Sequence, residues 1–441
     1  MAVTFAALEE LVAIPSVSSD PARRDDVGRA AAWLAARLNG LNGRVVPTAG
    51  HPLVLGEWLG AEGAPTVLVY AHYDVQPAGD AAAWRTPPFE PVLLDGRMYG
   101  RGTSDDKGPM LAALGAIERL LDERGRLPVN VRILLEGEEE IGSPSLEPAL
   151  LAHRDELRAD VAISADGAMW SAEQPSVNVA ARGMLAVEVA VRGPSADLHS
   201  GRHGGAVKNP LQALAEIVAA LHRPDGSIAV EGFMDDVVDL AGDDRFEIAA
   251  MPFDEDAYRA ELGVPELHGE PGYTPLERLT ARPTLELSQI QGGGRYTVIP
   301  AVARAYLTCR LVPDQDPARI AAAVARHVLA RCPDGVTASV QEVPGGIPAY
   351  AMPREHPALA AAEEALRAVY PGRSVLRTRA GGTLPAAVLL QRSLGLDTLL
   401  FSFSSSDEGF HGPNEFFRLS RLGEGTEAWA RLLDLLAVRL S

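Results

Sequence analysis

The stretch TVLVYAHYD, Thr66–Asp74, decides how the chain is read. Thr66 to Ala71 is a short apolar run, the pattern of a strand buried on both faces of a sheet. It ends in His72 and Asp74. Where helices flank a sheet, ligands collect at the carboxyl ends of the strands. Residues two apart in extended chain point to the same side, so Asp74 can reach the imidazole of His72 or a metal beside it. Alone, the pair is a weak signal that reads more readily as a loop histidine beside a capping aspartate, so the rest of the chain has to decide.

Working outward, the same device recurs. Val129–Leu135 reads as a strand and runs into LLEGEEEIGS, Leu134–Ser143. A charge run is usually a solvated face. This one follows a buried strand directly and precedes Gly142, so at least one glutamate faces the cleft at the sheet edge. Adjacent Glu139 and Glu140 can divide the work, one binding metal and the other free as a general base. Like charges and partial burial raise the pKa of such a free glutamate. Val161–Ser164 reads as a strand followed by Asp166, and Thr398–Phe403 as a strand followed by FHGPNE with His411. The segment YGRGTSDDKGP, Tyr99–Pro109, sets Asp105 and Asp106 in a Gly-flanked turn ahead of the helix Pro109–Leu121, whose proline suits a first turn. Neighbouring side chains diverge, so one aspartate is a ligand and the other supports it.

Each of these residues has a plainer reading by itself: N-cap aspartates, a loop aspartate before Gly167, a surface histidine. The combination carries the weight. His, Glu, Asp and His at strand ends, with an Asp from a loop, suit a pair of divalent ions, zinc first, with manganese or cobalt as alternatives, over calcium or magnesium. Two dications, three carboxylates and a bridging hydroxide sum to neutrality, which suits a semi-enclosed site.

The organisation agrees. Helical spacing over Thr4–Ile14, Pro21–Leu38 and Pro109–Leu121 alternates with the buried strands, implying an α/β sheet covered by helices on both faces. From about Arg182 the texture changes. Leu185–Val191 alternates in period two, as a half-exposed antiparallel strand does. Helices are expected at Pro210–Leu221 and Pro317–Ala330 and strands at Tyr296–Ile299 and Ala303–Leu311, with a loop-rich acidic stretch, Asp225–Arg282, between. After about Gly346 the first texture returns, with helices at Pro357–Val369, Pro385–Ser393 and Gly425–Leu440. The fold class is therefore α/β, a catalytic domain with a mixed sheet (1–181 and 347–441) interrupted by a smaller α+β domain (182–346).

Composition narrows the function. The chain has 441 residues, 47% hydrophobic and 22% charged, as two globular domains would. A net charge of −19 with no basic patch argues against a nucleic-acid partner. No apolar run approaches the ~20 residues of a membrane-spanning helix. The start, MAVTFAALEELVAIP, carries Glu9 and Glu10 within its apolar stretch and lacks a basic opening, unlike a secretory signal. Cys309 and Cys332 make neither a disulfide framework nor a Cys-rich zinc site, so a reducing cytoplasm is expected.

The motifs HYDVQPAGD (His72–Asp80), WRTPPF (Trp84–Phe89), YGRGTSDDKGP and EGEEEIGS (Glu136–Ser143) together resemble the di-metal M20 metallopeptidases. The likeness is to the dipeptidase branch of the carnosinase and cytosolic nonspecific dipeptidase kind. DLHSGRHGG (Asp197–Gly205), YTVIP (Tyr296–Pro300), CRLVPD (Cys309–Asp314) and RAGGTLP (Arg379–Pro385) extend it over nearly the whole chain. The resemblance implies two divalent metal ions, His72 and Asp166 on one, Glu140 and His411 on the other, and Asp105 bridging through a cis peptide to Asp106. It implies that Asp74 supports His72, that Glu139 is the general base for a metal-bridged hydroxide, and that His199 polarises the substrate carbonyl. Arg310, Thr297 and Thr383 would hold a dipeptide or other very short peptide. The inserted domain would act as a lid and dimerise the protein, with His199 reaching a partner's site. Ala380, Thr383 and Leu384 depart from the R-E-G-G-S-I-P common in relatives: the hydroxyl is kept, and the lost acid at Ala380 bears on specificity. An N-acyl amino acid deacylase on the same scaffold would carry the same metal motifs. A non-catalytic descendant should have lost ligands or base, and none is lost here.

Overall fold

A computed structural model describes residues 5–294 and 296–440, so Thr4, the first residue of the expected opening helix, lies outside the described residues. The chain separates into two compact units, Met1–Val179 with Met352–Thr378 and Pro385–Ser441, and Ala180–Ala351 with Arg379–Leu384. The sequence reading set the junctions at 181/182 and 346/347 and left 379–384 in the first domain. In the structure this short segment joins the second unit because its backbone and hydroxyl are held there. Arg182 Nε donates to Gly381 O at 2.9 Å, and Arg310 Nη1 to Thr383 Oγ1 at 2.9 Å.

The first unit is built on a mixed sheet. Its strands run in the spatial order Arg44–Val46, Leu53–Trp58, Asn130–Glu136, Thr66–His72, Val161–Ser164, Thr398–Leu400 and Ser176–Ala181. The pairs among Asn130–Glu136, Thr66–His72, Val161–Ser164 and Thr398–Leu400 are all parallel. Leu53–Trp58 and Ser176–Ala181 flank this group antiparallel. Leu68, Tyr70, Leu134 and Ala162 pack on one face against Leu146, Ala149 and Leu150 of helix Leu146–Ala152 and Ala386 and Leu390 of helix Pro385–Leu394. The alternate residues Val67, Val69, Ile133 and Ile163 are buried as well. Helix Leu419–Arg439 packs against both Gly108–Arg124 and Pro357–Val369, and Gly108–Arg124 meets the Thr66–His72 strand. Double-sided burial is why these strands read as unbroken apolar runs.

The second unit is an antiparallel sheet, Thr284–Gly292, Val302–Leu311, Gly183–Arg192, Thr337–Ile347 in spatial order. Strict alternation in Val302–Leu311 buries Ala303, Ala305, Leu307, Cys309 and Leu311. They form one core with Ala213, Leu214 and Ile217 of helix Pro210–Ala219 and Ile320, Val324 and Val328 of helix Pro317–Ala330. The α+β texture is as expected, with Leu185–Val191 more buried than a half-exposed strand because it lies inside the sheet.

Three differences have physical causes. The acidic stretch Asp225–Arg282 contains the helices Gly242–Ala249, Glu255–Leu262 and Pro275–Ala281, too short for a visible period. Their caps were legible: Asp254 accepts from Ala257 N, and Thr274 with Glu277 forms a capping box. The two outer strands of the second sheet, Thr284–Gly292 and Thr337–Ile347, are largely exposed and polar, so they lacked an apolar signal. The last helix starts at Leu419 rather than Gly425. Gly425 is an interior residue of close packing, since a Cβ there would lie 2.9 Å from the Phe403 ring and from Ala112 Cβ.

Both cysteines are free thiols, Cys309 buried and Cys332 half-buried. Burial, and then the charge of Glu286, push the Cys309 thiol up to about 12, which suppresses the reactive thiolate. Native protein should therefore consume one equivalent of a chromogenic disulfide reagent, at Cys332, and a second only after unfolding. Equal native rates at both thiols would contradict this packing.

Candidate metal centre

The parallel register brings the strand ends level. His72 is paired with Glu136, Tyr70 with Ser164, and Ser164 with Leu400. The segments leaving these ends therefore start from one edge of the sheet, the geometry that gathers ligands in such folds. His72 ends its strand fully buried. Its Nε2 is 3.0 Å from Asp105 Oδ1 and its Nδ1 is 3.1 Å from Asp74 O. On the other side of Asp105, Oδ2 lies 3.1 Å from His411 Nε2, which is 3.2 Å from Glu140 Oε2. Two trios result, His72 with Asp105 and Asp166, and Asp105 with Glu140 and His411, each with donor atoms within 4.8 Å of one another. Asp105 belongs to both.

The supports explain how these side chains are aimed. Asp74 accepts from Glu139 N at 3.2 Å and Glu140 N at 3.1 Å, and its Oδ1 is 3.5 Å from His72 Nδ1. It thus ties the histidine to the glutamate turn. Asp106 is buried, its Oδ2 accepts from His72 N at 3.4 Å, and the Asp105–Asp106 peptide bond is cis.

Several residues that hold the centre were not singled out from sequence. Gln76 donates to Glu140 Oε2 at 2.7 Å from its side chain and to Oε1 at 3.2 Å from its backbone. Buried Glu415 accepts from Gly102 N, Ser104 N and Asp105 N at 2.9, 2.9 and 3.1 Å, which cradles the whole turn. Arg101 Nη1 pairs with Glu415 at 2.7 Å while Nη2 donates to His411 O and Gly412 O, each at 3.0 Å. One buried ion pair therefore locks the Asp105 turn to the His411 loop, where His411 has φ +58°, a left-handed conformation that a non-glycine residue seldom adopts. Lys107 is buried, its Nζ donating to Leu11 O and Ile14 O at 3.0 and 2.9 Å, and burial pushes its pKa down to about 7. The letters of HYDVQPAGD, YGRGTSDDKGP and FHGPNE contained these residues, but nothing local marks a glutamate that binds backbone 310 residues away in sequence.

The electrostatics test whether cations fit. Burial, and then the charges of Asp166, Asp105 and Glu140, raise Glu139 well above the usual carboxylate range, against an opposing His72. Burial lifts Asp166 to about 6, with Asp105 and Glu140 adding. His72 is raised although burial opposes it, by hydrogen bonds to Asp105 and Asp74, and His411 rises to about 10 through hydrogen bonds to Asp105 and then Glu140. Asp105 alone is held low, since hydrogen bonds from His411 and His72 outweigh burial. Glu139, Asp166, His72 and His411 all move toward their protonated forms, the response of a site short of positive charge. Imidazole and carboxylate donors in two trios suit borderline divalent cations, which would supply that charge.

The remaining sequence-selected residues form pairs in the second unit. His199 is exposed, accepts from Gly201 N at 3.1 Å through Nδ1, and lies 3.5 Å from Thr297 Oγ1 through Nε2. Arg310 is joined to Thr383 as described above.

A ligand cluster at the edge of a mixed α/β sheet is a candidate site for divalent cations, and comparison with known proteins identifies the family. Residues 68–435 match the model of peptidase family M20/M25/M40. The "Cys-Gly metallodipeptidase dug1" of Schizosaccharomyces pombe is 30% identical, over 98% of this chain and 94% of its own length. The human "Beta-Ala-His dipeptidase" is 30% identical over 96% of this chain and 88% of its own. Among solved structures, an M20 family metallo-carboxypeptidase from Sulfolobus solfataricus superposes with a TM-score of 0.87 at 29% identity, covering 98% of this chain and 99% of that one. The chain belongs to peptidase family M20/M25/M40. Among the described residues, no helix is long and apolar enough to cross a membrane.

The Arg101–Glu415 pair should dominate the stability of the turn. Removing one partner leaves a buried charge uncompensated, at about 3–5 kcal/mol, whereas an exposed pair such as Arg29–Asp26 is worth about 0–1 kcal/mol. Glu415→Ala should shift the denaturant midpoint by that larger amount, and Asp26→Ala should barely move it. Equal small shifts would mean that the pair does not hold the turn.

Proposed function

We propose that this protein hydrolyses the peptide bond of dipeptides and other very short peptides with two bound divalent metal ions, zinc foremost. The observation that carries the reading is the sharing of Asp105 by two ligand trios, with Glu139 beside them in a raised protonation range. His72 and Asp166 would hold one cation, Glu140 and His411 the other, with Asp105 between. When bound, such cations polarise a carbonyl and make water acidic near neutral pH. Glu139 is the proton carrier: it takes a proton from the attacking water and returns it to the leaving amine. Asp74 keeps His72 oriented. His199 steadies charge developing on the carbonyl oxygen, with Thr297 beside it.

Arg310, held by Thr383 and with no carboxylate partner among the described residues, binds the terminal carboxylate of the substrate. The named dipeptidases at 30% identity over nearly the full chain support this substrate class. On this reading 1–181 and 347–441 form the catalytic domain, and 182–346 forms a lid through which two copies associate. The lack of a disulfide framework suits a cytoplasmic enzyme.

A second reading rests on the superposition with a metallo-carboxypeptidase, which would extend the substrates to longer or N-blocked peptides cut at the last residue. A panel of dipeptides, N-acetyl amino acids and N-blocked tripeptides separates the two readings and the deacylase alternative.

Glu139→Gln should lower kcat by at least a hundredfold while metal content, measured by elemental analysis, stays at two ions per chain. Near-wild-type turnover would remove Glu139 as the proton carrier. Chelation should abolish activity and also lower the melting temperature. A ligand specific to the folded state and present at a hundred times its Kd contributes about 2.7 kcal/mol. An unchanged melting curve after verified metal removal would refute metal binding at this carboxylate cluster.

A further inference from the structure

The second unit contains a cavity of about 850 Å3 whose lining is unusual for this chain. That volume lies in the range of small-molecule sites. Five arginines, Arg182, Arg223, Arg278, Arg282 and Arg310, line it against two glutamates, Glu270 and Glu286. The chain as a whole carries −19, so the cavity reverses the prevailing sign.

Four of these arginines form no ion pair with a carboxylate among the described residues, although the charge of Glu286 acts on Arg182 and that of Asp225 on Arg223. Glu270 is engaged by Arg282, at 2.7 and 2.8 Å. Arg182 donates only to carbonyl oxygens, of Gly381, Arg282 and Arg278 at 2.9, 3.3 and 3.4 Å. Arg223 donates to Ser227 Oγ and Ile228 O, Arg278 to Tyr273 O, and Arg310 to Thr383 Oγ1. None of these four has a carboxylate partner among the described residues. Arg282, 3% exposed, keeps Nη1 buried without a hydrogen-bond partner, with Asp239 Oδ1 3.8 Å away. A buried donor without an acceptor costs about 1–3 kcal/mol, more when charged. Burial, and then the charge of Arg310, push Arg182 down to about 10, which leaves it cationic at neutral pH. Guanidinium forks of this kind match carboxylates in bidentate geometry. Ile228, Met234 and Leu285 supply apolar wall for a short methylene chain.

We propose that this cavity is a recognition site for a dicarboxylate, occupied by a C-terminal glutamate or aspartate of the substrate, its α-carboxylate on Arg310 and its side-chain carboxylate among the other arginines. This rests on the peptidase reading above, because Arg310 is the residue common to the carboxylate clamp and the cavity wall. One carboxylate satisfies one fork. Several forks without a carboxylate partner around a space larger than a small neutral residue call for a second.

The test compares kcat/KM for Ala-Glu with that for the isosteric neutral Ala-Gln, in wild type and in Arg278→Gln and Arg223→Gln. Glutarate is titrated by calorimetry into the same metal-loaded proteins. The expected results are a preference for Ala-Glu of about tenfold, a several-fold loss of that preference in each variant, and glutarate binding that competes with peptide turnover and weakens in the variants. Glutarate that binds without competing, together with equal rates on the two peptides, would overturn the peptide assignment and mark the ligand as a free dicarboxylate. No glutarate binding and no preference would overturn the site altogether. If neither dipeptide is cleaved, the peptidase reading fails, and the titration still decides the cavity.

Discussion

The constraint on which the first unit depends is the register of its four parallel strands. Pairing of His72 with Glu136 and of Tyr70 with Ser164 makes the strands end together. A parallel strand must be followed by a crossover before the chain returns, so whatever leaves these ends is loop or turn, free to present side chains. His72, the Glu139–Glu140 turn, Asp166 and the His411 loop are what this edge presents. A one-residue slip would turn His72 to the opposite face of the sheet and separate it from Asp105. The apolar faces prevent such a slip, because Leu68, Tyr70 and Leu134 would leave their packing against the helices at the same time.

Placing carboxylates this densely has an electrostatic cost, and the surroundings show how it is carried. Asp74 and Glu415 have their charge met by backbone N–H groups and, for Glu415, by Arg101. Burial still lifts Glu415 to about 7, and Asp166 rises to about 6 despite a hydrogen bond from Gly167 N, while burial and neighbouring carboxylates raise Glu139. The distinction separates roles. Asp74 and Glu415 organise the backbone through N–H groups, whereas Glu139 faces the ligand cluster, where burial and like charge raise it. A glutamate that exchanges protons near neutral pH needs the second kind of environment.

The second unit applies the opposite electrostatic logic. Its cavity gathers arginines whose hydrogen bonds run mostly to carbonyl oxygens, which orient a guanidinium without cancelling its charge. Oriented and unneutralised cations suit anion capture, as unneutralised carboxylates suit cation capture. A chain with a large negative total thus contains a concentrated region of each kind among its described residues, and the total alone would have hidden the positive one.

Much of the first unit was legible in the sequence because its signals are local. Strands buried on both faces appear as apolar runs, and the residues directly after them, His72, Glu139, Glu140 and Asp166, are placed by chain connectivity alone. The short polar-faced elements were not legible: the outer strands Thr284–Gly292 and Thr337–Ile347 and the three helices within Asp225–Arg282 bury too little to leave a period. Tertiary structure alone decided that Glu415 cradles the Asp105 turn, that Arg101 ties it to the His411 loop, that Arg379–Leu384 joins the second unit, and that five arginines scattered from Arg182 to Arg310 line one cavity. The physical reason is the same in each case. A ligand at a strand end is positioned by its neighbours in sequence, whereas a buried ion pair or a shared cavity is set by residues that only folding brings together.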